Sequence, residues 1–98
     1  MLKAGMEYTI EHTVRPEDAA SQVGSGLLDV YSTPAMIALM EKTSMMVVQD
    51  SLEDGQGTVG ISVNISHMKA SKIGVNVTAK STLTEVDGEK LTFNVVVF

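Results

Sequence analysis

The chain contains no cysteine. That excludes disulfides, thiolate metal sites and a cysteine nucleophile, and it is compatible with a cytoplasmic location. Basic residues are scarce: 7 Lys and Arg stand against 12 Asp and Glu, for a formal net charge of −5. Such a balance argues against general affinity for nucleic acid. There is no run of 18 apolar residues and no signal-peptide pattern at the N-terminus, so neither a membrane span nor export is expected. Neither GxGxxG nor GK[ST] occurs, which removes the two common phosphate loops. Internal repeats and low-complexity linkers are also missing. What is left, 98 residues that are 44% hydrophobic and 19% charged, reads as one globular domain (residues 1–98) near the small end for a self-sufficient core.

The stretch that organises the rest is STPAMIALMEKTSMMVV, from Ser32 to Val48. Thr33 is suited to cap a helix and Pro34 to its first position, where a missing N–H costs nothing. Good helix formers continue without glycine to about Leu52, apolar on almost every face. A surface helix shows one apolar stripe, so this pattern predicts a central, largely buried helix of roughly 18 residues, about 27 Å long. One carboxylate, Glu41, interrupts it, with Ile37, Ala38 and Met45 as its neighbours on the helix. A buried carboxylate must be paired, hydrogen-bonded or neutral, and Lys42 points to a different face. Thr33, Ile37 and Glu41 fall along one side. The plainer alternative is a surface Glu41 and a Thr33 that only caps.

Strand periodicity flanks the helix. Met6, Tyr8, Ile10, His12 and Val14 alternate with polar residues before Arg15-Pro16 ends the run. His12, at a strand end, reads as structural. Residues 17–31 read as a loop hinged at Gly24-Ser25-Gly26. A turn at residues 53–57 leads to an expected strand from Thr58 to His67, with Val59, Ile61, Val63, Ile65 and His67 on one face. Gly60 lies on the other face and hints at a close backbone approach or a bulge. A long strand from Ile73 to Val86, the hairpin signal Asp87-Gly88 and a return strand from Lys90 to Phe98 complete the chain. The N-x-[ST] matches at Asn64 and Asn76 lie inside expected strands and read as chance. The order β-α-β-β-β, one helix wrapped by a curved antiparallel sheet, is an α+β layout.

The run from Thr33 to Glu41, followed 26 residues later by His67 at the end of a strand, resembles the hotdog-fold thioesterases similar to fluoroacetyl-CoA thioesterase. The segment from Ala70 to Gly74 and Val86-Asp87-Gly88 with Leu91 extend the likeness, which runs from about residue 12 onward. The resemblance implies a hotdog fold and hydrolysis of an acyl-CoA thioester, with Thr33, Glu41 and His67 as the catalytic residues. It implies a homodimer or tetramer with the site between subunits, Thr33 and Glu41 facing His67 of the other copy. It also implies a further strand beyond Phe98, so the chain reads as short of that strand. No cofactor is expected beyond the coenzyme A of the substrate, and no nucleic-acid or membrane partner. The family's aromatic lid is not recognisable, since the corresponding loop carries Leu27, Leu28 and Tyr31.

The chemistry of these residues is consistent with that reading. Thioester hydrolysis needs an attacking oxygen, a proton acceptor and donor, and a polariser for the carbonyl. Glu41 can serve as base toward water or Thr33, or as nucleophile, and His67 can protonate the leaving thiolate. A backbone amide near Gly60 or at the helix start can hold the oxyanion. Because coenzyme A is polyanionic and the chain acidic, Lys69 and Lys72 are the expected phosphate contacts. Direct hydrolysis and an acyl-enzyme route both remain open. A non-catalytic acyl-CoA-binding domain or a dimerising domain is the alternative.

Overall fold

Alternating burial builds the sheet, and a single buried stripe fixes the helix upon it. The computed structural model describes residues 2–98. Three strands, β1 (Glu7–Thr13), β2 (Asn76–Asp87) and β3 (Lys90–Val97), form one antiparallel sheet in the order β1-β2-β3. Thr13 pairs with Asn76 at one end of the β1–β2 ladder and Glu7 with Thr82 at the other. On β2 the inward residues Val77, Ala79, Ser81 and Leu83 are buried, at the period of two that a one-sided sheet requires. The β2–β3 hairpin closes with Asp87 opposite Lys90, and its register slips once, between Leu83 and Glu85. Gly88 has φ of +61° and, among the described residues, no non-glycine residue has positive φ, the sign pattern of a tight II′-type turn.

Two helices precede β2: a single turn, α1 (Ala20–Val23), and the long α2 (Thr33–Val48). Met36, Leu39, Thr43 and Val47 recur at intervals of three and four and are buried against the sheet. Val14, Tyr31, Met36, Leu39, Val77 and Ala79 form one core cluster, and Val47, Val48 and Leu83 form a second. Between them the buried Ser81 meets the Ser44 hydroxyl at 2.8 Å, while the Thr43 hydroxyl donates to the Leu39 carbonyl at 2.7 Å. No buried side-chain polar atom among the described residues lacks a partner.

Several expectations change. The helix ends at Val48, with one 3₁₀ turn, Gln49–Ser51, beyond it. It is not buried all round: Glu41 and Lys42 are exposed, because the sheet covers only one flank. Ser32, not Thr33, caps the helix, its hydroxyl accepting the Ala35 N–H at 3.2 Å. Thr33 is thus the first helical residue and Pro34 the second. Residues 17–31 are partly structured, by the 3₁₀ turn Pro16–Asp18 and by α1. The expected strand over residues 58–67 is not formed. Val59, Ile61 and Val63 are exposed, and only Ile65 packs on the core. A strand needs a neighbour for its backbone groups, and neither edge of the sheet, β1 or β3, pairs with this segment. The β2 strand begins at Asn76, three residues later than expected. No helix is long and apolar enough to cross a membrane among the described residues.

Candidate active site

Because Ser32 caps α2, the Thr33 hydroxyl is released for another contact. It meets His67 Nδ1 at 2.7 Å. With the proton of the neutral ring on Nε2, Thr33 donates to Nδ1, the relation of a hydroxyl nucleophile or relay to its base. With the proton on Nδ1, the ring donates and the hydroxyl proton is free for a substrate oxygen. The resemblance implied that Thr33 faces His67 of another copy; the structure closes this pair within one chain.

Two turns farther along α2, about 12 Å in helix rise, stands Glu41. The backbone of Gly60 passes directly over its carboxylate. A Cβ built on Gly60 would lie 2.5 Å from Glu41 Oε2 and 3.6 Å from Cδ. The close approach expected at Gly60 is therefore real, and it puts the Gly60 backbone beside the acid. Glu41 is exposed and has no hydrogen-bond or ion-pair partner among the described residues, so the expectation of a buried, paired carboxylate does not hold. The segment from Gly60 to His67 thus runs along the Thr33–Glu41 flank of α2 and touches it at both ends. The structure joins Thr33 to His67 and Gly60 to Glu41; it does not join Glu41 to His67.

Beside the Thr33–His67 pair opens a cleft of about 180 Å³, lined by Val30, Tyr31, His67, Met68, Lys69 and Ala70. Lys69 is therefore at the site. Lys72 lies outside this lining and is tied to Val30 by a bridge. Among the described residues no group of three His, Cys, Asp or Glu could hold a metal ion.

Sequence reasoning missed a second cluster. His12 Nε2 meets Asp18 Oδ2 at 2.7 Å, and the Arg15 N–H donates to the same oxygen at 2.9 Å. Burial pushes the Asp18 carboxyl up, but the Arg15 amide, the His12 hydrogen bond and the neighbouring positive charges outweigh it and leave it below the usual carboxylate range. The His12 ring lies 5.8 Å from that of Tyr31, tilted by 31°. Tyr31 is 2% exposed, and its hydroxyl is pushed up to about 12 by burial and by the Asp18 charge, against the opposing Arg15. His12, at its strand end, is thus held by Asp18. Its partner was not legible, since the contact spans a turn whose path the periodicity does not define.

Comparison with known proteins gives this geometry a family. A sequence model described as fluoroacetyl-CoA-specific thioesterase, FlK, matches residues 14–98. The fluoroacetyl-CoA thioesterase of Streptantibioticus cattleyicolor is 31% identical over 67 residues, which cover 68% of this chain and 48% of that protein. The match therefore spans about half the length of that relative. A crystal structure of the fluoroacetyl-CoA thioesterase FlK superposes with a TM-score of 0.95 at 24% identity, covering all of this chain and 77% of the other. A thioesterase superfamily member from Thermus thermophilus gives 0.89 at 23% identity, over all of this chain and 72% of that one. A hot-dog-like protein from Thermanaerovibrio acidaminovorans gives 0.87 at 19%, over 98% and 71%. These likenesses establish the hotdog fold, and with most of its length matched by the family's own sequence pattern, the chain belongs to the fluoroacetyl-CoA-specific thioesterase family.

Proposed function

We propose that the protein hydrolyses the thioester of a small or medium acyl-CoA, with Thr33, Glu41 and His67 as its catalytic residues. The observation that carries this reading is the 2.7 Å contact between the Thr33 hydroxyl and His67, on the helix end of a chain in a thioesterase family. Glu41 takes a proton from the attacking water, or attacks the carbonyl carbon itself to give an anhydride that water opens once the thiolate has left. The C–S bond then breaks, and the thiolate leaves with a proton from His67. Backbone N–H groups at the start of α2 or at Gly60 hold the charge that develops on the carbonyl oxygen. Lys69 and Lys72 supply positive charge for the coenzyme A phosphates. Hydrolysis needs no further cofactor, and the cysteine-free chain suits the cytoplasm.

The working unit in this proposal is a homodimer or tetramer. Val59, Ile61 and Val63 are 84%, 78% and 53% exposed along an extended segment whose backbone has no ladder partner, and a second copy would cover them. Within one chain Glu41 stays apart from His67, so a site completed between copies also accounts for that separation. Sedimentation giving a monomer at micromolar concentration would remove this part.

The test of the reaction is an acyl-CoA panel followed with a thiol-reactive dye, for which a chain without cysteine gives no background. Thiol release lost in Thr33→Ala, Glu41→Gln and His67→Ala supports the proposal. Tight acyl-CoA binding without turnover by the wild type would assign a binding domain instead. A burst of thiol in the first turnover separates an acyl-enzyme from direct attack by water.

A further inference from the structure

Two clefts flank the start of α2, and one residue borders both. The cleft of about 180 Å³ beside His67 has Tyr31 in its lining. A larger cleft, about 330 Å³, lies between β1 and the opposite flank of α2, where Ile10, His12, Ala35 and Leu39 line it together with Tyr31. We infer that Tyr31 is the end-stop of the acyl pocket: its ring limits the acyl group to a short chain by walling the His67 cleft off from the space behind. This inference rests on the hydrolase reading.

The wall is built to hold. The Tyr31 ring is 2% exposed and backed by the His12 imidazole at 5.8 Å. His12 is fixed in turn by the buried Asp18, and Asp18 by the Arg15 amide. On the backbone, the Tyr31 N–H donates to the Ser71 carbonyl at 2.7 Å, and the next N–H, from Ser32, donates to the Asp18 carbonyl at 2.9 Å. Among the described residues the hydroxyl makes only a long contact, 3.4 Å, to the Ala35 carbonyl. Three supports therefore bear on the ring and its backbone and little on the hydroxyl, so the ring's volume sets the pocket's depth. Its burial keeps the phenol neutral across the working pH range, so it presents an uncharged face to an alkyl chain. Without the ring, the His67 cleft would continue toward Ile10, Ala35 and Leu39, an apolar strip for further methylenes within a lining that also carries Glu11, Arg15, Asp18 and Lys42. This gives the His12–Asp18 pair a role: it positions the end-stop and does not touch substrate.

The experiment compares wild type, Tyr31→Phe and Tyr31→Leu on linear acyl-CoAs from acetyl to octanoyl, reading kcat/KM by thiol release. Wild type should fall about tenfold or more at the first chain too long for the cleft. Tyr31→Phe should keep that profile, since the ring remains. Tyr31→Leu should lose the drop, with kcat/KM rising up to about fourfold for each added methylene that is buried. Damage to the fold alone would lower all substrates by one factor. A second variant avoids the core: Ala70 is exposed on the rim of the same cleft, and Ala70→Leu should move the drop to shorter chains. An active wild type with a parallel Tyr31→Leu profile, or with a profile unmoved by Ala70→Leu, overturns the end-stop and leaves the hydrolase reading intact. A wild type that releases no thiol from any member of the series overturns the hydrolase reading itself.

Discussion

Gly60→Ala separates the chemistry of Glu41 from the stability of the fold. The added Cβ would stand 2.5 Å from Glu41 Oε2, whereas carbon and oxygen in ordinary contact sit about 3.5 Å apart. The carboxylate must therefore retreat by about 1 Å. It can do so cheaply, because Glu41 is exposed and has no partner to lose; an off-rotamer side chain costs about 0.5–1.5 kcal/mol. Replacing glycine where φ is not positive removes about 0.4–1 kcal/mol of unfolded-state freedom, which offsets much of that cost. The melting temperature should stay close to that of the wild type. Catalysis is less tolerant, since a 1 Å misplacement of a reacting group can cost about 10²-fold. A fall of roughly 10- to 10²-fold in kcat is expected, read by thiol release beside a thermal melt on one preparation. Both substitutions act through one carboxylate, so Gly60→Ala combined with Glu41→Gln should be no slower than Glu41→Gln alone. A Gly60→Ala protein with wild-type kcat would refute the reasoning, and so would two losses that simply multiply.

Glu41→Gln by itself should lower kcat by about 10²-fold or more while acyl-CoA still binds and the melting temperature holds, since the exposed carboxylate makes no hydrogen bond or ion pair among the described residues; full activity in the Gln protein would remove Glu41 from the mechanism. Replacing Lys69 and Lys72 together with Ala should raise KM and leave kcat nearly constant, the mark of lost uniform binding, with the larger share from Lys69 because it lines the cleft; a KM unchanged at low salt would show both to be solvated only. The Asp18 carboxyl is held below its ordinary value of 3.8, so its stabilisation is complete above that pH and is lost as pH falls through the lower folded value. Asp18→Asn should cost about 1–3 kcal/mol at neutral pH and flatten the loss of stability in acid, followed by denaturant melts between pH 2 and 7; an acid limb as steep as that of the wild type would refute this assignment.

Elements whose evidence is local were legible in the sequence. The period of two over residues 7–13 and 76–87, the long helix with its proline near the start, and the Asp87-Gly88 hairpin lie where the pattern put them, within about four residues. Backbone hydrogen bonds within a helix or across a tight hairpin involve residues near in sequence, so composition and spacing suffice to specify them. The spacing of Thr33, Glu41 and His67 carried the likeness to a family, and the close approach at Gly60 was visible as a glycine out of place in an apolar run.

The tertiary structure decided everything that depends on which surface covers which. The apolar faces of α2 suggested burial all round, but three strands cover only one flank, and Glu41 and Lys42 stay in solvent. Ser32 and Thr33 are both competent caps; the backbone arriving from Tyr31 gives the cap to Ser32, and that frees the Thr33 hydroxyl for His67. Residues 58–67 have the alternation of a strand, yet alternation describes only the faces of the chain. A ladder also needs a neighbour's N–H and C=O groups, and neither β1 nor β3, the two edges of the sheet, pairs with this segment. His12, Asp18 and Tyr31 meet across a turn whose course no period encodes. Local sequence therefore determined the elements and the residues able to do chemistry, while long-range packing, which sets partners, exposure and cavity walls together, determined which of those residues meet.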